Sequence, residues 1–140
     1  MVFTKRRQAE SQNPESSKKH QIFLDKAAEV AKYSTMQQKH GAVVVHKNKI
    51  IGCGFNYRVD HLNDNNSIHA EVAAISQVFK NKMILEECDI YVVRVGPSIY
   101  NNCLKMSKPC EKCAKFIRKY NLRCAYYSTN YEFDLNIQTH

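Results

Sequence analysis

A mixed α/β domain, with helices packed on the faces of one sheet, is the architecture this sequence predicts. Two observations point to it. Segments with apolar residues at three- and four-residue spacing alternate along the chain with short runs rich in β-branched residues. The 140 residues, 44% of them hydrophobic, suffice for one well-buried core and not for two ordinary domains. No internal repeat interrupts that order.

Residues 1–19 are polar, with Lys5, Arg6 and Arg7 followed by a Ser- and Lys-rich stretch, and read as a flexible basic tail ahead of a domain spanning 20–140. From His20 to about Met36, the residues Phe23, Leu24, Ala27, Ala28 and Ala31 recur at helical steps and define one buried face. Ala42 to His46 and Ile50 to Phe55, separated by the polar Lys47, Asn48 and Lys49, predict a hairpin. A polar loop follows from Asn56 to Asn66. Ile68 to Phe79 returns to helical spacing through Val72, Ala73, Ile75 and Val78, which places His69 and Glu71 on its first turn.

Asp89 to Val95 is rich in β-branched residues and reads as a buried strand ended by Gly96 and Pro97. A loop leads to Pro109, whose missing N–H suits the first position of a helix running to Tyr120. Arg123 to Ser128 makes a further strand. Tyr131 to His140 fits either a short edge strand or a frayed end.

The apolar runs Ala42–Val45 and Tyr91–Val93 are far shorter than the roughly 20 residues that span a bilayer. No apolar segment follows the basic N-terminus as a secretory signal would require, so the expected location is intracellular, in the cytoplasm, with the six cysteines reduced. The formal charge is +8, and the first 20 residues hold only five Lys and Arg against two acids, so the excess is spread over the body of the chain. Such a balance favours anionic partners, either free nucleotides or a polynucleotide, or else is a solvated surface.

Cys110 and Cys113 stand three apart at a helix start, so both thiols share one face and can reach a single zinc ion (Zn2+) at about 2.3 Å. The helix N-terminus favours thiolate over thiol. His69, opening the other helix, can supply a third ligand and leave the fourth position to water, which is the catalytic form of such a site. Glu71 lies two residues on and can handle protons without binding the metal. In a shuffled chain of this composition Pro-Cys-x-x-Cys appears about once in two hundred times and His-x-Glu about once in three, so the cysteine motif carries the weight.

His69-Ala70-Glu71 together with Pro109-Cys110-Glu111-Lys112-Cys113 resembles the cytidine and deoxycytidylate deaminase superfamily, whose zinc enzymes carry the paired His-x-Glu and Pro-Cys-x-x-Cys signature. The likeness extends to Gly41-Ala42-Val43-Val44-Val45 and to Gly52-Cys53-Gly54-Phe55-Asn56, and covers about residues 20–130. It implies a three-layer α/β/α fold around a central mixed sheet of about five strands. It further implies zinc on His69, Cys110 and Cys113, Glu71 as proton shuttle, and Asn56 with the Ala70 N–H holding the base. The Lys108 carbonyl would accept from the amino group being lost. Hydrolytic deamination of a cytosine-type base in a free nucleoside or nucleotide such as dCMP follows, in a homo-oligomer. The segment from Gly96 to Ser107 departs from the family, in which the strand runs almost directly into Pro-Cys, and it lands where it could reshape substrate choice. The family's last strand and helix are not legible after Ser128.

Other readings of the same residues stay open at this level. Cys103 or Cys124 could complete a closed structural zinc site, and a redox Cys-x-x-Cys or a non-catalytic zinc-stabilised interaction module fits the pair as well. A deaminase that edits tRNA or single strands fits the charge. Asn56 could simply stabilise the turn after its strand. Cys53, Cys88 and Cys124 read as packed apolar-like residues, and His40, His46, His61 and His140 as surface or turn residues. Tyr100, Tyr126, Tyr127 and Tyr131 read as packing residues.

Overall fold

The computed structural model describes residues 14–59, 67–78, 82–96, 104–105, 110–128 and 135–138. Helix α1 (Pro14–Ala31) leads into strands β1 (Lys39–His46) and β2 (Lys49–Phe55), then two short strands β3 (Tyr57–Arg58) and β4 (Ser67–Ile68). Helix α2 (Ala70–Gln77) and the single turn α3 (Lys82–Leu85) precede β5 (Asp89–Val95) and the two-residue β6 (Leu104–Lys105). Helix α4 (Glu111–Lys119), β7 (Cys124–Ser128) and β8 (Leu135–Gln138) complete the order.

The first helix starts at Pro14, not His20, so residues 14–19 belong to it rather than to a tail. Proline is favourable at a first helical position, and Glu15, Lys18 and Lys19 are good helix formers, so composition without apolar residues hides the helix. Residues 1–13 lie outside the described residues. The helix ends at Ala31, where Lys32, Tyr33 and Ser34 close on Glu29, Val30 and Ala31 through three-residue backbone bonds.

The main sheet runs β2-β1-β5-β7-β8, with β6 adding against the end of β5. All pairs are antiparallel except β5–β7, which is parallel and joined through α4. The expected five strands are present, and β8 resolves the ambiguous C-terminal stretch as a strand on β7. Lys47 and Asn48 turn the β1–β2 hairpin with φ of 49° and 65°, the positive pair that matches strand twist.

Two glycines show how the layers close. Gly41 faces α1, where an added Cβ would overlap the backbone of Ala27 and Ala31. Ala42 stands opposite Gly54, so that pair points to the other face. There a Cβ on Gly54 would lie 2.5 Å from the Ala74 nitrogen of α2. Helix α1 therefore covers one face, and α2, with α4 packed beside it, covers the other. The α/β/α layering is as expected.

On the α1 face Val43, Tyr91 and Tyr126 fall in line across β1, β5 and β7. The two tyrosine rings stack at 4.7 Å, and the Tyr91 hydroxyl meets His20 Nδ1 at 2.6 Å. Beyond the sheet's other end, Arg123 makes two hydrogen bonds of 3.0 and 2.9 Å to the buried Asp89, pinning the starts of β5 and β7 together. Among the described residues no helix is long and apolar enough to cross a membrane.

Candidate active site

Two helix N-termini meet at the chemistry. The short β3–β4 ladder, whose first strand lies in the expected loop and whose second takes Ile68 from the expected helix, delivers the chain to His69, which sits in extended conformation (φ −77°, ψ 154°) as the N-cap of α2. Cys110 occupies the same place on α4 (φ −64°, ψ 167°), and its sulfur accepts the Cys113 N–H at 3.5 Å. Each residue, expected inside its helix, stands instead one position before it, as the cap, a difference within the usual end ambiguity.

His69 Nδ1 lies 3.1 Å from Cys113 Sγ and 3.7 Å from Cys110 Sγ, and the three ligand atoms are all within 4.8 Å of one another. Tetrahedral zinc with about 2.3 Å to sulfur and about 2.0 Å to nitrogen requires donors about 3.6 Å apart. The three side chains fit that requirement and are positioned for metal binding. Cys124 is buried in β7 and is not one of them, so it does not close a fourth position.

Cys113 is 1% exposed, and burial, reinforced by the Glu71 carboxyl and the Cys110 sulfur, pushes its thiol far above the ordinary range. A cation between the sulfurs supplies the opposite field and favours thiolate. Glu71, on the first turn of α2, is 4% exposed. Burial raises its carboxyl above 4.5, offset in part by its own backbone N–H, by His69 and by a hydrogen bond with Cys113. A buried carboxyl touching the ligand set without joining it is suited to take up and release a proton.

His69, Ala70, Glu71 and Cys110 line one end of a cavity of about 410 Å3. Ala70 is fully buried at the first helical position, where its N–H has no intrahelical acceptor. Asn56 also lines the cavity, yet its side chain is already engaged: Oδ1 accepts the His40 N–H at 2.8 Å and Nδ2 donates to the Gln38 carbonyl at 2.6 Å. Lys108 lies outside the described residues, as do Pro109, Cys103, Tyr100, Tyr131, His61 and His140.

Sequence reasoning missed the wall formed by Met36, Gln37, Gln38 and His40, with Arg58 and Ser67 completing the rim. His40, read as an ordinary turn residue, lines the cavity, and burial together with Arg94 lowers its imidazole below 6.5. Its position at the half-buried start of β1, ahead of the apolar run from Ala42, offers no periodic signal. His46 does stay at the far end of β1, paired with Glu87 at 2.9 Å. Cys88, Cys124, Tyr126 and Tyr127 are buried as expected, and Cys53 is half-buried.

Fold and site together define an α/β/α domain of a zinc-binding kind, with a His/Cys/Cys group positioned for the metal at two helix N-termini. The family model for the cytidine and deoxycytidylate deaminase zinc-binding region matches residues 17–129, and the chain belongs to that family. Among solved structures, it is similar to a cytidine deaminase from Burkholderia pseudomallei (18% identity, TM-score 0.64, covering 86% of this chain and 91% of that one). It is similar also to a dCMP deaminase from the cyanophage S-TIM5 (20% identity, TM-score 0.63, 84% and 85%). A guanine deaminase from Bacillus subtilis matches at 23% identity and TM-score 0.53, over 79% of this chain and 64% of that one. At such identities the likeness is one of fold. Comparison with curated proteins finds no match.

Proposed function

We propose that this protein is a zinc-dependent hydrolytic deaminase acting on a cytosine-type base in a free nucleoside or nucleotide such as dCMP. One observation carries the reading: the buried Glu71 carboxyl sits against the His69, Cys110 and Cys113 set at the end of a cavity open to a small molecule. Zinc held there supplies the acidity that makes a water nucleophilic near neutral pH. Glu71 takes the proton lost as the C–O bond forms at the amine-bearing carbon, and returns protons to the ring nitrogen and to the departing amine as the C–N bond breaks. Water and the base thus give ammonia and the keto base, with no redox partner.

The Ala70 N–H, pointing from a helix start, is assigned to the base, and so is the carbonyl of Lys108. The dCMP deaminase of cyanophage S-TIM5 is described in complex with dCMP and dUMP, which supports a nucleotide for this chain as well. Self-association belongs to the same reading. Ammonia release from dCMP, cytidine, cytosine and guanine by zinc-loaded protein tests it, with dCMP or cytidine expected to be turned over. Release from none of them sinks the proposal.

A second reading, action on a polynucleotide, is favoured by the charge of +8. It requires turnover of a single strand that falls steeply with added salt. Activity on mononucleotides alone, insensitive to salt, decides against it.

A further inference from the structure

Ser34 has no part in the chemistry above, is 2% exposed and does not line the cavity. Its hydroxyl donates to the backbone carbonyl of Asn56 at 2.9 Å, across 22 positions of chain. The same oxygen accepts the Met36 N–H at 3.2 Å. From Asn56 the connection returns to the segment Ser34 begins. Its N–H donates to the His40 carbonyl at 3.3 Å, and its side chain holds the His40 N–H and the Gln38 carbonyl. Met36, Gln38 and His40, three residues of the cavity wall, are therefore each bonded to one pair, Ser34 and Asn56, in addition to the β1–β5 pairing that holds His40 opposite Arg94.

The inventory of Asn56 sharpens this. An amide side chain offers two N–H donors and one oxygen acceptor, and here one donor and the oxygen are spent on the wall. Swinging the side chain toward a base would leave the His40 N–H and the Gln38 carbonyl to find other partners, which is costly in a site where Asn56 is only 6% exposed. Its orientation is set from behind, by the segment it grips. Ser34 fixes where Asn56's backbone stands in turn.

We infer that Ser34 is a positioning residue for the cavity: acting through Asn56, it holds the Met36–His40 wall in the shape that receives the substrate. The inference rests on the deaminase reading and adds to it a residue that touches neither substrate nor metal. The wall lies beside the bound molecule rather than at Glu71, so it acts on ground state and transition state alike. Loss of such an interaction raises KM and leaves kcat in place.

Ser34→Ala removes the hydroxyl without adding volume, and Ser34→Thr retains a hydroxyl in its place. With whichever nucleotide the wild type turns over, Ser34→Ala is expected to raise KM about tenfold at near-constant kcat, the scale of one lost buried hydrogen bond. Ser34→Thr restores it. Because the Thr methyl could disturb a buried site, amide exchange supplies a second readout: the Met36 and His40 amides should exchange at least about tenfold faster in Ser34→Ala while β5 stays protected. An unchanged KM, or unchanged exchange at those two amides, overturns the inference. So does a fall in kcat that tracks lost zinc. A wild type that releases no ammonia sinks the deaminase reading instead, and the exchange measurement still decides whether Ser34 holds the wall.

Discussion

His69 Nδ1 stands 3.1 Å from Cys113 Sγ, across 44 positions of sequence. That contact brings the N-termini of α2 and α4 together with their ligand atoms at a spacing zinc accepts. Zinc binds the folded arrangement and not the open chain, so it stabilises by mass action, about 2.7 kcal/mol at a hundredfold excess over Kd. Chelation is expected to lower the thermal midpoint, and Cys113→Ala to abolish stoichiometric zinc by metal analysis. The Cys113 thiol, held high by burial, must lose its proton to bind, so zinc affinity falls as pH falls and zinc uptake releases protons.

Glu71→Gln separates proton transfer from metal binding. Activity should drop by about 10²–10⁴ while zinc content stays, because the carboxyl lies outside the ligand set. The stability sign is opposite. Burial raises the Glu71 carboxyl, so what it contributes to stability is present below pH 4.5 and is lost as pH rises through the raised value. At neutral pH the metal-free Glu71→Gln variant should therefore unfold at higher denaturant than the metal-free wild type.

Legibility followed what each signal depends on. Strand β5 was readable to the residue because Ile90, Val92, Val93 and Val95 declare a buried strand locally. The ligands were readable because their spacing is itself the geometry of a helix start. The wall was not: Met36 and Gln38 lie in the irregular segment that Ser34 and Asn56 tie to the far end of β2, and His40 stands at the polar start of β1, ahead of its apolar run. The two-residue strands β3, β4 and β6 lack any periodicity of their own, and α1 begins in residues with no apolar face to betray it. Asn56 lines the cavity, as a base contact requires, and its side chain also grips the Gln38 and His40 backbone, a role that no spacing in the sequence announces.

Gly41 and Gly54 should fail differently when given a side chain. Gly41→Ala drives a methyl into the backbone of α1, and Gly54→Ala drives one against Ala73 and Ala74 in α2. Overpacking of this kind costs about 1–3 kcal/mol or more, so both variants should melt lower. Only α2 carries His69 and Glu71. Gly54→Ala is thus expected to weaken zinc binding in a chelator competition, and Gly41→Ala to leave it near the wild-type value at temperatures where it is folded. Equal zinc affinity in the two variants would contradict the layer assignment.

His40 gives the pH dependence of stability a specific source. Its imidazole is held below 6.5 first by burial, then by the Arg94 guanidinium opposite it in the β1–β5 register and by His69, against a raising contribution from the Gln38 carbonyl. Folding therefore favours the neutral ring. The unfolded chain takes up its proton as pH falls through 6.5, while the folded protein resists until a lower pH, so stability is full above 6.5 and declines below it. Substitution by glutamine removes the titration. Between pH 7.5 and 5.5 the wild type should lose more stability than His40→Gln in denaturant titrations, the difference cancelling what protonation of the zinc ligands contributes to both. Parallel curves for the two proteins would show that the ring is not held neutral in the fold.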